Sequence, residues 1–332
     1  MVTNAKKNIY IIDTQYHLLI SIAKTLLDNR IGKDSVIIMR KNISSKIVHN
    51  VQFLFKDCMI YSNRFKILLN VFLTKIQQNK IPFLSQIIKK RNFLFNFIAY
   101  DSEIYIYDDN SYFGCWLNNA KIYYNHIEDG LDNFKLSKYK NKRIKIYDFI
   151  YRLLGISWDY WGTSKFIKSI EVNENKNLRL SHNNIIVQNR EQMFKKLTPE
   201  QIDIIAHVFD YKPLKNIELG DKTLLLTQPL SEDSLVCHET KIHIYKHLVN
   251  KYATGKLYIK IHPREKEDYT KIFPDAIILG NQDVPFEVYQ LKEKFHFKKA
   301  ITVFSTAINA VFCADEKISM SPEWMMNFSK KS

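Results

Sequence analysis

Glycine and proline are scarce, eight of each in 332 residues. That leaves little material for long flexible linkers and sets the chain apart from collagenous or low-complexity proteins. Cysteine is scarcer: Cys58, Cys115, Cys237 and Cys313 are scattered with no Cys-x-x-Cys pair. No disulfide framework is indicated, and a reduced, cytoplasmic chain is expected. Acidic residues number 34 against 49 Lys and Arg, a formal charge of +15, which favours an anionic partner: nucleic acid, a phosphorylated small molecule or an acidic membrane face. The N-terminal apolar run is broken by Asp13, Gln15 and His17. It is too polar for a secretory leader or a membrane span, so any membrane association is expected to be peripheral. GxGxxG, GxxxxGK[ST] and solenoid-period repeats are all missing, which removes the usual dinucleotide, P-loop and repeat readings. No RRM, zinc-finger or helix-turn-helix signature accompanies the positive charge, so nucleic acid is not the expected partner.

What remains is an ordinary globular composition, 46% hydrophobic and 25% charged, long enough for two domains with a core each. Short apolar runs at 8–12 (NIYII), 35–39 (SVIIM), 103–107 (EIYIY) and 121–124 (KIYY) read as strands. Residues 16–27 have helical spacing. The rhythm resumes with strands at 223–227, 257–261, 276–279 and 300–304 and helices within 239–251 and at 285–291. Strands alternating with helices predict parallel α/β sheets. The expected division is a Rossmann-like domain over 1–165, a connecting segment over 166–214, and a second Rossmann-like domain over 215–332. Within the connection, Thr198-Pro199-Glu200 predicts a helix start, with Thr198 capping and Pro199 in the first turn.

Between Cys58 and Tyr100 lie Arg64, Lys66, Lys75, Lys80, Lys89, Lys90 and Arg91, interleaved with Phe and Leu and without an acidic residue. Such a segment suits an anionic lipid surface, and equally a solvated basic helix face. A second basic run, 135–145, reads as an exposed loop.

In open α/β sheets ligands gather at the carboxyl ends of strands, so the polar residues after each apolar run are the candidates. Glu128-Asp129-Gly130 follows KIYY. Adjacent carboxylates on a tight turn can raise one another's pKa toward general-base duty, although such a triplet is often only a turn. His262-Pro263-Arg264 follows LYIKI; Pro263 holds His262 extended and Arg264 adds a fixed cation, a plausible phosphate anchor or an ordinary surface pair. Ser305-Thr306 follows AITVF at a helix start, where hydroxyls serve an anion or simply cap the helix. Glu287, at the opening of another helix, suits two vicinal ribose hydroxyls or the helix dipole.

The series Glu128-Asp129-Gly130, His262-Pro263, Pro285-Phe286-Glu287 and Ser305-Thr306 resembles the bacterial sialyltransferases that carry acidic-acidic-glycine, His-Pro and Ser/Thr motifs. The stretches 224–233 (LLLTQPLSED), 260–269 (KIHPREKEDY) and 302–310 (TVFSTAINA) look most like glycosyltransferase family 52, whose members sialylate lipooligosaccharide and capsule. In the N-terminal half the likeness rests on Asp13-Thr14-Gln15-Tyr16-His17 and the Glu-Asp-Gly turn. The resemblance implies a GT-B fold, two facing Rossmann-like domains with the active site in the cleft between them. It also implies inverting transfer of sialic acid from CMP-sialic acid to a sugar hydroxyl, expected to be galactose, with no cofactor and no metal. The sequence has no Asp-x-Asp to hold a divalent ion, and a nucleoside monophosphate leaving group needs less charge neutralisation.

By motif, His262 would contact or protonate the CMP phosphate, with Ser305 and Thr306 on the same phosphate, Glu287 on the ribose, and Pro263 and Gln228 lining the donor site. The base would be Glu128 or Asp129, with Asp233, beside Glu232, as the alternative. Expected partners are a nucleotide-sugar donor, a lipid-linked glycan acceptor, an anionic membrane at the inner face of a bacterial cell, and a second copy of the chain. The competing readings are a UDP-sugar such as UDP-glucose on the same fold, and a non-catalytic basic protein that binds lipid or nucleic acid.

Overall fold

The computed structural model describes residues 6–39, 43–61, 102–129, 162–174, 184–214, 220–280, 282–293 and 295–330. Both basic runs, 62–100 and 135–145, and Gly130 lie outside the described residues. The chain divides into two compact units, Met1–Leu197 and Thr198–Ser332.

Unit 1 is built on a seven-stranded sheet: β1 (Lys7–Ile12), β2 (Ser35–Met39), β3 (Asp57–Tyr61), β4 (Ser102–Ile106), β5 (Tyr124–Ile127), β6 (Ile167–Val172) and β7 (Ile185–Val187). The order is β3-β2-β1-β4-β5-β6-β7, and every pairing is parallel. Ile9, Ile11, Ile37, Ile104 and Ile106 are buried on one face and Tyr10, Ile12 and Ile38 on the other, as strands covered on both faces require. Helix α1 (Gln15–Leu27) follows β1; its cap, Thr14, accepts from the His17 N–H through its hydroxyl. Helix α2 (Ser45–Val51) joins β2 to β3. Helix α3 (Tyr112–Ala120) follows β4 and brings Phe113, Trp116 and Leu117 into the core. A Cβ at Gly114 would overlap the Asp109 backbone, so glycine is what lets α3 sit against the turn that ends β4.

Unit 2 is a five-stranded parallel sheet: β8 (Lys222–Leu226), β9 (Lys256–Lys260), β10 (Ile277–Ile278), β11 (Phe297–Val303) and β12 (Ala314–Met320), in the order β10-β9-β8-β11-β12. Leu224, Leu225, Ile259, Ile301 and Val303 are buried.

The segment expected to connect the halves does not do so as one piece. Residues 167–172 and 185–187 are β6 and β7 of the first sheet, and helix α4 (Arg190–Lys195) also belongs to unit 1. Helix α5 (Pro199–Val208) opens unit 2, with Thr198 and Gln201 forming a capping box and Pro199 in the first turn as expected. The strand expected over 121–124 begins instead at Tyr124, because Lys121 takes a left-handed conformation (φ 56°) that closes α3. The later helices are α6 (His238–Tyr252), α7 (Tyr269–Ile272), α8 (Phe286–Lys292) and α9 (Pro322–Ser329). No helix among the described residues is long and apolar enough to cross a membrane.

Candidate functional site

Each sheet reverses its strand order once, between β1 and β4 in unit 1 and between β8 and β11 in unit 2. The crevice beyond the carboxyl ends of strands at such a reversal is where doubly wound folds bind ligands. Both reversals are lined by polar residues of the kind read from the sequence.

In unit 1 the polar residues are acids. Asp13 follows β1, Asp108 follows β4 after Tyr107, and Glu128-Asp129 follow β5. The two candidates of the acidic pair differ. The Glu128 carboxylate is buried and accepts the Asn173 N–H at 2.6 Å, which ties the end of β5 to the end of β6. Asp129 keeps 36% of its side chain exposed and meets His17 Nε2 at 2.5 Å through Oδ1. Of the two, only Asp129 has a surface that a substrate could reach, while Glu128 braces the two strand ends. Asp108 was not singled out from sequence. Its pKa is pushed up to about 7, first by burial, against the Asn110 N–H that it accepts, and then by Asp13, Asp129 and Asp109.

Unit 2 presents donors. The Thr227 hydroxyl accepts the His262 N–H at 3.0 Å and also bonds Glu265, which anchors the His-Pro turn to the end of β8. The turn closes with the Glu265 N–H on His262 O at 3.0 Å, and Pro263 stands at the second turn position, where its fixed φ suits it. His262 Nδ1 accepts the Arg264 N–H at 3.1 Å. The neutral ring therefore carries its proton on Nε2 and is a hydrogen-bond donor there. Burial, with the cations Arg264 and Lys260, takes the His262 pKa down to about 4, so the ring is neutral at pH 7 until an anion arrives.

Gln228 Nε2 donates to Ser305 Oγ at 2.8 Å, bridging the ends of β8 and β11, and the Ser305 hydroxyl also caps the 3-10 turn Thr306–Ala310. Phe304, immediately before it, has φ 37°, a region that L side chains rarely occupy. Glu287 is buried in the first turn of α8, and burial raises its pKa to about 7 against the pull of Lys260. Lys260 is itself buried, which lowers its pKa to about 8, and its ammonium donates to the Ile261 and Gln282 carbonyls. His262, Gln228, Ser305, Lys260 and Glu287 are thus brought together at one end of one sheet, with Thr306 opening the adjoining turn.

The alternative acid, Asp233, also belongs to unit 2 and is occupied: both its oxygens receive Arg264, at 2.6 and 2.9 Å. Burial opposes ionisation of Glu232, but its own N–H, the Lys266 N–H, Lys241 and Ser231 bring its pKa down to about 2. Both acids are thus held by partners within unit 2. Among the described residues no three His, Cys, Asp or Glu side chains converge as a metal site would need.

Sequence reasoning overlooked Asp108 and the Thr227–Glu265 support, and gave Asp13 and His17 no role beyond the resemblance. The available signal was the one used elsewhere: Asp13 directly follows NIYII, and Asp108 directly follows EIYIY.

Comparison with known proteins agrees with this architecture. A 2,6-sialyltransferase of Photobacterium sp. JT-ISH-224, solved in a ternary complex with the donor product CMP and the acceptor substrate lactose, superposes with a TM-score of 0.57. It is 12% identical, and the match covers 94% of this chain and 71% of that one. A sialyltransferase of Photobacterium damsela gives 0.55 at 12% identity, over 95% and 74% of the two chains. At that identity the likeness shows the fold: two α/β units of parallel sheet, the GT-B fold expected from sequence. An uncharacterised protein of Haemophilus influenzae is 34% identical over 192 residues, 54% of this chain and 56% of that relative. The match therefore spans little more than half of the relative's length. The model of glycosyltransferase family 52 matches residues 39–319, from the end of β2 into β12. That match takes in the reversal of unit 2 and, of the reversal in unit 1, β4 but not β1 or α1; covering most of the sequence, it shows that the chain belongs to glycosyltransferase family 52.

Proposed function

We propose that the chain is an inverting sialyltransferase that moves sialic acid from CMP-sialic acid to a sugar hydroxyl without a metal. The observation that carries this is the division of polar chemistry between the two strand reversals, a half-exposed acid in unit 1 and a set of anion-compatible donors in unit 2. In this reading Asp129 removes the proton of the acceptor hydroxyl as its oxygen bonds the anomeric carbon. The bond from that carbon to the CMP phosphate oxygen breaks through an oxocarbenium-like transition state, and the phosphate leaves with its electron pair. His262 donates to that phosphate through Nε2–H, joined by Ser305 and Thr306. The anion raises the pKa of His262 toward the range where it can give up a whole proton. Glu287 accepts from the ribose hydroxyls.

CMP and lactose in the Photobacterium complex support this choice of donor and a galactose-type acceptor. The acceptor we favour is a lipid-linked bacterial surface glycan at the inner face of the membrane, with the basic run between Cys58 and Tyr100 toward the anionic surface; co-sedimentation with vesicles that is indifferent to anionic lipid would count against that part.

The test of the donor is isothermal titration with CMP and with UDP in EDTA. The expected result is binding of CMP alone. Binding of UDP alone would move the activity to another sugar, and silence from both would remove the enzymatic reading.

A further inference from the structure

His17 is fully buried on α1, yet every polar partner found for its ring lies at the end of a strand. Nδ1 accepts the Asp13 N–H at 3.2 Å, from the residue that follows β1. Nε2 lies 2.5 Å from Asp129 Oδ1, 112 residues further along the chain. The imidazole stacks on Tyr107 with centroids 4.3 Å apart and planes 5° from parallel, and the Tyr107 hydroxyl is held in turn by Ser21 at 2.8 Å. The backbone end is fixed as well, because the His17 N–H donates to the Thr14 cap.

These contacts determine the tautomer. With Nδ1 accepting an N–H, the proton of the neutral ring is on Nε2, so the contact with Asp129 is a donated hydrogen bond. We infer that His17 is a positioning residue for the Asp129 base, fixing through Nε2–H both the direction of the carboxylate and its ionised form. This rests on the reading of Asp129 as the base.

A plain core histidine would need its two partners, but it would not need one of them to be a half-exposed carboxylate on the strand end where the acceptor is proposed to bind. The charges around the ring supply the reason for such a residue. Besides Asp129 they are Asp13, after β1, and Asp108, after β4; Tyr107 and Ser21 are the neutral neighbours. Asp13, and Asp108 to the extent that it is ionised with its pKa near 7, work against the ionised form of Asp129, the only form that can act as a base, and a donated hydrogen bond opposes them. The influence runs both ways: burial works to lower the pKa of His17, but Asp129, followed by Asp13 and Asp108, raises it overall. In the reaction His17 keeps its Nε2 proton, and the proton of the acceptor hydroxyl goes to Asp129.

The experiment compares His17→Phe, which keeps the flat stack on Tyr107 but has no donor, with His17→Gln, which returns an N–H near the position of Nε2. Transfer from CMP-sialic acid to lactose is measured against pH. His17→Phe is expected to lower kcat about 100-fold, the usual effect of a misplaced reacting group. KM for the donor should be unchanged, and the acid limb of the kcat profile should move to higher pH. His17→Gln should recover part of both. A His17→Phe enzyme with wild-type kcat and an unmoved acid limb overturns the inference, as does a loss that His17→Gln fails to recover.

Asp129→Asn separates the two readings: if it still transfers at the wild-type rate, the base assignment falls and the positioning role with it. If the wild-type protein transfers no sialic acid, nitrogen NMR of labelled histidine decides the pairing. A His17 ring protonated on Nε2, with a resonance that moves in Asp129→Asn, upholds it. A ring protonated on Nδ1, or indifferent to Asp129, overturns it.

Discussion

The two halves of this molecule share one order of five strands around one kind of crevice, yet their chemistry is opposite. Beyond β1, β4 and β5 stand Asp13, Asp108 and Asp129, with a buried histidine between them. Beyond β8, β9 and β11 stand Gln228, His262, Arg264 and Ser305, with Lys260 buried behind them. The difference teaches that the sheet sets where a group can stand, while the few residues after each strand set its charge. A carboxylate cluster suits the removal of a proton; neutral donors and cations suit an anion that leaves. The comparison can be broken from either side.

The largest effects should come from cutting one cluster at a time. Asp129→Asn is expected to lower transfer by about 10²- to 10⁴-fold, the range of a general base, while titration with CMP gives the wild-type affinity. His262→Ala should lower transfer by about 10²- to 10³-fold, as loss of a preorganised donor does, and should weaken CMP as well. If CMP affinity responded equally to both substitutions, the division of labour between the clusters would be gone.

An intermediate effect tests Glu287, the acid proposed to meet the ribose. Burial holds the Glu287 pKa up to about 7, so its carboxylate is half protonated at neutral pH and, in the proposed role, becomes a full acceptor for ribose hydroxyls above it. Affinity for CMP should therefore rise from about pH 6 to about pH 8. Glu287→Gln should flatten that rise and cut the preference for CMP over 2′-deoxy-CMP by about tenfold, or 1.4 kcal/mol. A pH dependence that survives in Glu287→Gln would assign it to another group.

The smallest effect sharpens the contrast by removing a rival. Asp233 and Arg264 are 36% and 61% exposed and paired with each other, and such pairs contribute about 1 kcal/mol or less. Asp233→Asn should leave transfer within about tenfold of wild type and the thermal midpoint nearly unmoved. A loss as deep as that of Asp129→Asn would place the base in unit 2 instead.

The strands most legible in the sequence were those whose burial is mainly apolar, such as NIYII and the LLL of β8. β6, IKSIEV, was not legible, because Glu171 sits inside it. That carboxylate is buried only because Lys24 from α1 and Arg190 from α4 reach it at 2.6 Å each, partners that no local pattern announces. β12, ADEKISM, is paired on one side and largely exposed, so it lacks the apolar alternation that marks a strand. The site followed the same rule. His262-Pro263 was legible because proline constrains its neighbour locally, and Ser305 because hydroxyls at a turn start have few uses. The choice between Glu128 and Asp129 was not, since it depends on an N–H 45 residues away and an imidazole 112 residues away.

Phe304 carries a last consequence. Its left-handed backbone, at φ 37°, costs a side chain other than glycine about 1–2 kcal/mol, and the structure accepts that cost at the step where β11 hands the chain to Ser305. Glycine would relax that backbone but would also strip the Phe304 ring from the core of unit 2, against which it packs, and would loosen the bridge from Ser305 to Gln228 along with it. Position 304 is therefore where side-chain packing holds a strained backbone in the shape that aims Ser305, and where a stabilised variant of this protein should be left alone.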